Sequence, residues 1–150
     1  MTQTNESNSI QLRNEIINTV SQIISADAGA TYCSIENDGS REAQSKFYNA
    51  MNNPENRVSD FINKTIAVQD VLIEMRDIVN DETGELSRVP RVVLIDEKGA
   101  GYQATSVGIY NAVRNAFIAF GPAPWNPPLN FTIKQRTIKN GYSMLTADIR

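Results

Sequence analysis

Residues 66–79, IAVQDVLIEMRDIV, decide the fold because they predict one long strand that changes face part of the way along. Three hydrophobic residues of its second half share one parity, as in a strand that buries every second residue: Val71, Ile73 and Met75. Ile66 and Val68 fall on the opposite parity, so the alternation changes phase near Gln69 and Asp70. Because a slip of one residue moves every side chain to the other face, the sequence predicts a bulge or a sharp bend here.

The segments that follow predict four more strands and one helix. The turn NDETGE leads into LSRVPRVVLID, a second strand in which Pro90 is better tolerated at an edge or bulge than in mid-sheet. EKGAG turns into a short third strand, YQATS, and Ser106 can cap a helix over Val107–Phe120 that Gly121 and Pro122 end. After a proline-rich loop, NFTIKQRTI and YSMLTADI flank KNG, an Asn-Gly hairpin signal.

The predicted order, β-β-β-α-β-β, is that of an OB-fold, a five-stranded Greek-key barrel that binds single-stranded oligonucleotides or oligosaccharides. We therefore predict a β-barrel with helices: an OB-fold-like five-stranded barrel over residues 64–150, preceded by a helical N-terminal extension over residues 1–63. Other small barrels and α+β domains share this order. Within the extension, helices are predicted from about Ile10 to Ser25, over Arg41–Asn52 and around Val58–Ile62.

Composition excludes several classes of function. The chain has 150 residues, 41% hydrophobic and 21% charged, which is typical of a soluble globular domain. No run of eighteen apolar residues and no signal peptide are present, so we expect a cytoplasmic protein without membrane contact. One cysteine, Cys33, and no histidine exclude an internal disulfide, a multi-cysteine zinc site and histidine-based catalysis. We find no enzyme motif and expect neither a cofactor nor a metal.

The charge is unevenly distributed. The net charge is −3, yet residues 101–150 contain five cations against the single carboxylate Asp148, a local charge of +4 that leaves −7 on the first hundred residues. Because binding depends on the local field, the C-terminal third can accept an anionic partner.

Aromatic residues are interleaved with cations in this third, and a protein that coats a single strand needs cations for phosphates and flat rings for base stacking. Lys134 and Arg136 share a parity opposite to that of Ile133 and are predicted to face solvent, while Lys139 and Tyr142 border the Asn-Gly turn. The predicted nucleic-acid-binding residues are Arg88, Arg91, Tyr102, Trp125, Phe131, Lys134, Arg136, Lys139 and Tyr142.

Several of these residues also have a purely structural interpretation. Phe131 shares the parity of Ile133, which favours the core over stacking, and Tyr102 fits a barrel wall as well as a ligand platform. Trp125 lies among four prolines, and a plug over the barrel end is favoured over a stacking ring. Arg88 and Arg91 on the second strand could contact the DNA backbone or serve only solubility.

Longer stretches resemble a known family. KFYNAMNNPENRVSDFINKTIAVQDVLIEM, DETGE, VPRVVLID, GYQATSVGIYNAVRNAF and FGPAPWNPP are similar to the single-stranded DNA-binding proteins of small tailed phages of Gram-positive bacteria, over about two thirds of the chain from Lys46 onward. The resemblance implies an OB-like fold and sequence-independent coating of single-stranded DNA exposed during phage replication in the host cytoplasm. It transfers no contact residues, so the predicted site rests on the physical argument alone.

Two further expectations concern partners. Phage replication proteins are possible partners, and the isoleucine-rich helix near residues 10–24 is a candidate for self-association along the strand. The alternative function is a protein-interaction or assembly module without nucleic-acid affinity.

Overall fold

The computed structural model of the chain describes residues 31–137 and 139–150, which form one curled sheet with two helices. The strands are β1 Thr31–Cys33, β2 Asn56–Arg57, β3 Thr65–Val79, β4 Leu86–Asp96, β5 Gly101–Thr105, β6 Leu129–Thr137 and β7 Ser143–Ile149. The helices are α1 Arg41–Asn52 and α2 Val107–Phe120, and two 3₁₀ turns are η1 Val58–Phe61 and η2 Lys139–Gly141. The helix predicted for residues 10–25 lies outside the described residues. No helix among the described residues is long and apolar enough to cross a membrane.

The strands follow the order β2-β5-β4-β3-β6-β7, and β1 pairs with β3. All neighbours are antiparallel except β2 and β5, which run parallel. The mixed sheet curls into a half-barrel. The barrel is not closed, because β5 and β7 do not pair within the described part of the chain. The barrel-like character predicted from the sequence is confirmed at this level.

Strand β3 contains the predicted change of phase. Its pairing with β4 passes from Val68 opposite Asp96 to Asp70 opposite Ile95, two steps on β3 against one on β4. The extra residue in β3 is Gln69. Because of it, even-numbered residues before the bulge and odd-numbered residues after it direct their side chains into the same core. Residues before and after this bulge therefore lie in the same cluster: Ile66, Val68, Val71 and Ile73.

Buried polar contacts fix the bulge. Asp70 is buried, and its carboxylate accepts hydrogen bonds from the Ser34 hydroxyl at 2.9 Å and from Lys46 Nζ at 3.1 Å. The Ser34 hydroxyl oxygen in turn accepts the Val71 backbone N–H at 2.9 Å. These contacts satisfy a carboxylate that would be costly to bury alone, and they join β3 to α1 and to the residue after β1.

The proline-rich loop between α2 and β6 docks on the same bulge. The Trp125 backbone N–H donates to the Gln69 carbonyl oxygen at 2.8 Å. The peptide bonds Ala123–Pro124 and Asn126–Pro127 are cis. Gln69 has no opposite residue on β4, and its carbonyl oxygen is thereby hydrogen-bonded to the loop.

The sheet has a core on each face. On the inner face, α2 packs its buried side against β3, β4 and β6 and forms the larger cluster. On the outer face, α1 covers a smaller cluster with Ala50 beside Leu72, Val93 and Ile95. Both helices begin as their sequences predict, since the hydroxyl oxygens of Ser40 and Ser106 accept backbone N–H groups of the first turn.

Helix α2 approaches β7 more closely than most side chains would permit. A Cβ on Gly108 would overlap the Leu145 carbonyl oxygen, so glycine is required where the helix crosses the strand. Gly121 ends α2 with φ +87°, as predicted.

The structure differs from the predicted elements in three places. β1 and β2, with three and two residues, were missed because strands so short show no alternation. Both strands belong to the same sheet as the others, and α1 packs against that sheet, whereas the division of the chain at residue 63 stays a prediction. The β6–β7 connection is longer than a two-residue turn, since Thr137 opposite Ser143 is the last pair. Pro90 lies one residue beyond the end of the β4–β5 pairing, at an edge as predicted.

Candidate nucleic-acid interface

The β6–β7 hairpin extends beyond the rest of the sheet. The ladder of β6 with β3 ends where Thr132 lies opposite Thr65, and the Ile133 N–H then donates to the Lys64 carbonyl oxygen at 3.0 Å. From Lys134 to Thr137, β6 pairs with β7 alone among the described residues. The second half of the hairpin therefore projects beyond the other strands, and while α2 packs against its β7 side, a flexible strand can reach its β6 side.

Three predicted cations lie on this projecting part and are available to an anion. Arg136 and Lys139 are exposed, and Lys134 is half-buried. None of them forms an ion pair with a residue in 31–137 or 139–150. Lys134 and Arg136 lie opposite the neutral residues Thr146 and Met144 on the outer face, and Asp148 lines the same pocket as Lys134 without forming an ion pair with it in the described part of the chain.

Tyr142 adds an aromatic surface to the same hairpin. Its side chain is 69% exposed and follows η2 directly. A phenol ring in this position can stack on a base while neighbouring cations hold phosphates. The structure thus brings four of the predicted residues together: Lys134, Arg136, Lys139 and Tyr142.

The arginines of the β3–β4 hairpin have a different environment. Arg88 Nε lies 3.3 Å from Asp77 Oδ1 on the opposite strand, and Arg76 Nε lies 2.7 Å from Glu74 Oε1. The tip of this hairpin is acidic, with three exposed carboxylates: Asp81, Glu82 and Glu85. Because carboxylates neighbour these cations, Arg88 is less available to an anionic ligand than a cation without an acidic neighbour.

Arg91 is buried, with only 3% of its surface exposed. Its Nη1 lies 4.0 Å from Glu74 Oε1, and its Nη2 donates to Gln103 Oε1 at 3.4 Å. Nε and Nη1 have no hydrogen-bond partner in the described part of the chain. Burial, followed by the nearby Arg76 charge, lowers the pKa of Arg91. A guanidinium enclosed in this way does not belong to an exposed phosphate-binding surface, so we leave it out of the interface.

Trp125 and Phe131 lie in the core. They are 5% and 0% exposed, and the centroids of their rings are 5.9 Å apart. Phe117 packs edge-to-face on Trp125 at 5.7 Å. Enclosed rings have no free face for a base, so we remove both from the candidate interface. The plug interpretation describes the position of Trp125.

Tyr102 lies at the barrel end with part of its ring exposed. Its hydroxyl donates to Asp96 Oδ2 at 3.2 Å, and burial and the Asp96 charge raise the pKa of Tyr102. Its ring meets Phe61 edge-to-face, with centroids 5.0 Å apart and planes at 84°. Lys64 Nζ lies 5.7 Å from the Phe61 centroid. Phe61 and Lys64 are not among the residues predicted from the sequence, although an aromatic residue and a cation three positions apart in DFINK were a usable signal.

The described residues offer little to other chemistries. No group of three or more histidine, cysteine, aspartate or glutamate side chains among them could hold a metal ion. Burial is the main cause that raises the pKa of Cys33, to about 11. A thiol with so high a pKa is a poor nucleophile near neutral pH.

Comparison with known proteins identifies the family of the chain. A family model described as phage single-stranded DNA-binding protein matches residues 30–150, a range that includes all the strands and helices described above. No curated protein and no solved structure gives a significant match. The match covers most of the chain and confirms the resemblance seen in the sequence. The protein therefore belongs to the phage single-stranded DNA-binding protein family.

Proposed function

We propose that the protein is a non-catalytic, largely sequence-independent single-stranded DNA-binding protein whose main contact surface is the β6–β7 hairpin. Family membership supports the ligand. The location is supported by three cations of one hairpin that form no ion pair with any described residue and lie on the same hairpin as the exposed ring of Tyr142: Lys134, Arg136 and Lys139. Cations without carboxylate partners exchange small counterions for phosphates without first breaking a salt bridge.

In this proposal the cations and the ring have separate tasks. Lys134, Arg136 and Lys139 bind phosphates, and the release of counterions drives association and makes it sensitive to salt. Tyr142 stacks on a base, which contributes about 1–3 kcal/mol with little sequence preference. Neither task selects one base over another.

The half-barrel supports an OB-like architecture. The five predicted strands lie side by side in the order β5-β4-β3-β6-β7. Along the chain, α2 lies between β5 and β6, the third and fourth predicted strands. In OB-folds, hairpin loops next to one face of the barrel contact the ligand, and β6–β7 corresponds to such a hairpin. This correspondence supports the β6–β7 hairpin as the surface that contacts a single strand.

A titration with labelled oligonucleotides tests the function. Fluorescence anisotropy is measured with oligo-dT, oligo-rU and duplex DNA at two salt concentrations. We expect micromolar or tighter binding of oligo-dT at low salt, a steep loss at high salt and weaker binding of the duplex. No binding of oligo-dT at low salt would contradict the proposal.

We propose further that the protein coats and protects DNA exposed during phage replication, in the cytoplasm of the infected host, alongside phage replication proteins. Coating benefits from contacts between neighbouring molecules, for which residues 10–24 remain the candidate. Light scattering of the full chain and of a chain that begins at Thr31 tests this role, and equal oligomeric states would contradict it. An interaction module without nucleic-acid affinity is not favoured, because the family is defined by DNA binding.

A further inference from the structure

We infer that Phe61, Tyr102 and Lys64 form a second nucleotide-binding site at the barrel end, where the rings stack a base and the lysine binds its phosphate. The inference rests on the proposed function and extends it to residues outside the β6–β7 hairpin.

A short parallel strand positions the first ring. Asn56 in β2 lies opposite Tyr102 in β5, and the chain then enters η1 through Val58, which is fully buried. This anchor holds the end of η1, Phe61, against the Tyr102 ring. The site is therefore built by the fold before any ligand arrives, which reduces the entropy lost on binding.

Both rings combine a fixed orientation with solvent access. Each is half-buried, and the Tyr102 hydroxyl is held by the Asp96 carboxylate at 3.2 Å. The edge-to-face contact at 5.0 Å fixes the Phe61 ring in turn. Trp125 and Phe131, by contrast, have no accessible face, so Phe61 and Tyr102 are better placed to receive a base.

Lys64 supplies the charge at this site. It is exposed, has Nζ 5.7 Å from the Phe61 centroid and forms no ion pair with any residue that the structure describes. A cation over an aromatic face at an exposed site gains only about 0.5–1 kcal/mol. Lys64 can therefore move to a phosphate and leave the ring to a base at small cost.

The site adjoins the hairpin. The Asn63 N–H donates to the Ile133 carbonyl oxygen at 2.7 Å, and the Ile133 N–H donates to the Lys64 carbonyl oxygen at 3.0 Å. Lys64 therefore lies opposite Ile133 on a strand about 5 Å away, and the next residue, Lys134, directs its side chain to the outer face of the sheet. One bound strand can run from the Phe61–Tyr102 rings over Lys64 and then cross β6 to reach Lys134 and the hairpin.

The test separates stacking from charge. Binding of oligo-dT and of an abasic oligonucleotide of equal length is measured for the wild type, Phe61→Leu and Lys64→Gln. Phe61→Leu keeps apolar volume and should weaken oligo-dT binding roughly 5- to 150-fold, the range for one stacked base, with little effect on the abasic strand. Lys64→Gln should weaken both ligands and reduce the slope of log K against log salt by about 0.7.

Tyr48→Leu is the matched control, because Tyr48 is 58% exposed on α1 and belongs to neither surface. Thermal unfolding checks that each variant is folded, and the surface variant Lys64→Gln tests the site independently if Phe61→Leu is unstable. Wild-type affinity for oligo-dT in both folded variants would overturn this inference alone. Failure of the wild type to bind oligo-dT would overturn the proposed function and this site with it.

Discussion

The indole N–H of Trp125 donates a hydrogen bond to the Gly121 carbonyl oxygen at 3.0 Å, so the tryptophan closes the loop that follows α2. Its ring packs on Phe117 and Phe131 in the inner core. The backbone of the same residue bonds to the bulge in β3. Through its side chain and its backbone, Trp125 therefore contacts the helix, the loop and the sheet.

Replacement of Trp125 by alanine should lower stability far more than DNA affinity. Removing a buried aromatic side chain costs about 3–5 kcal/mol through lost burial and the remaining cavity. Trp125→Phe should cost less, because it loses the indole hydrogen bond but fills most of the space. Urea unfolding and oligo-dT binding measure the two effects. A large loss of affinity with an unchanged melting temperature would show that the ring contacts DNA.

Neutralising the hairpin cations should change the salt dependence of binding. We expect Lys134→Gln, Arg136→Gln and Lys139→Gln each to reduce the slope of log K against log salt by about 0.7, since each removes about one phosphate contact. Arg41→Gln at the start of α1 changes the net charge equally and is the control. The same reduction in the control would mean that net charge, rather than the hairpin, determines affinity.

Arg91→Met should leave stability unchanged or raise it. The arginine is buried with two unsatisfied nitrogen atoms, while Glu74 keeps its 2.7 Å contact with Arg76. Replacing a poorly satisfied buried charge by a side chain of similar length is often neutral or stabilising. Thermal unfolding checks this, and oligo-dT titration should show an unchanged salt slope. A reduced slope would return Arg91 to the interface.

Gly108→Ala should destabilise the protein although alanine favours helices. Its Cβ would overlap the Leu145 carbonyl oxygen, a backbone atom that cannot move without shifting β7. Overpacking of this kind costs about 1–3 kcal/mol, more than the roughly 1 kcal/mol that alanine gains over glycine in a helix. Asn115→Ala, at an exposed position of α2, is the control and should be neutral or stabilising in denaturant unfolding.

Local signals accounted for much of the fold. The start and end of α2 followed from Ser106 and Gly121, and the bulge followed from the parity change in β3. These features depend on neighbours in the sequence, which a single chain displays. The parallel β2–β5 contact joins residues distant in sequence and leaves no local pattern.

The site was predictable only in part, because charge and exposure depend on partners. Lys134 and Arg136 alternate with Ile133 and were placed correctly on the outer face. Arg88 looked similar in the sequence, but the register sets it opposite Asp77. The burial of Arg91 and the partial burial of Phe61 depend on elements distant in sequence that pack against them, which parity does not reveal.

The bulge also divides β3 by the order in which its contacts can form. After the bulge, β3 pairs with β4, the next strand of the chain, starting from Val79 opposite Leu86 at the turn. Before the bulge, β3 pairs with β6, which is distant in sequence, as in the pair Thr65 and Thr132. Short chain closures are fast and long ones slow, so the local β3–β4 hairpin can form first and offer a finished edge to β6. Pulsed hydrogen exchange during refolding should protect the amides of residues 71–79 before those of residues 65–68. The two parts of β3 would then acquire their hydrogen bonds at two different stages of folding.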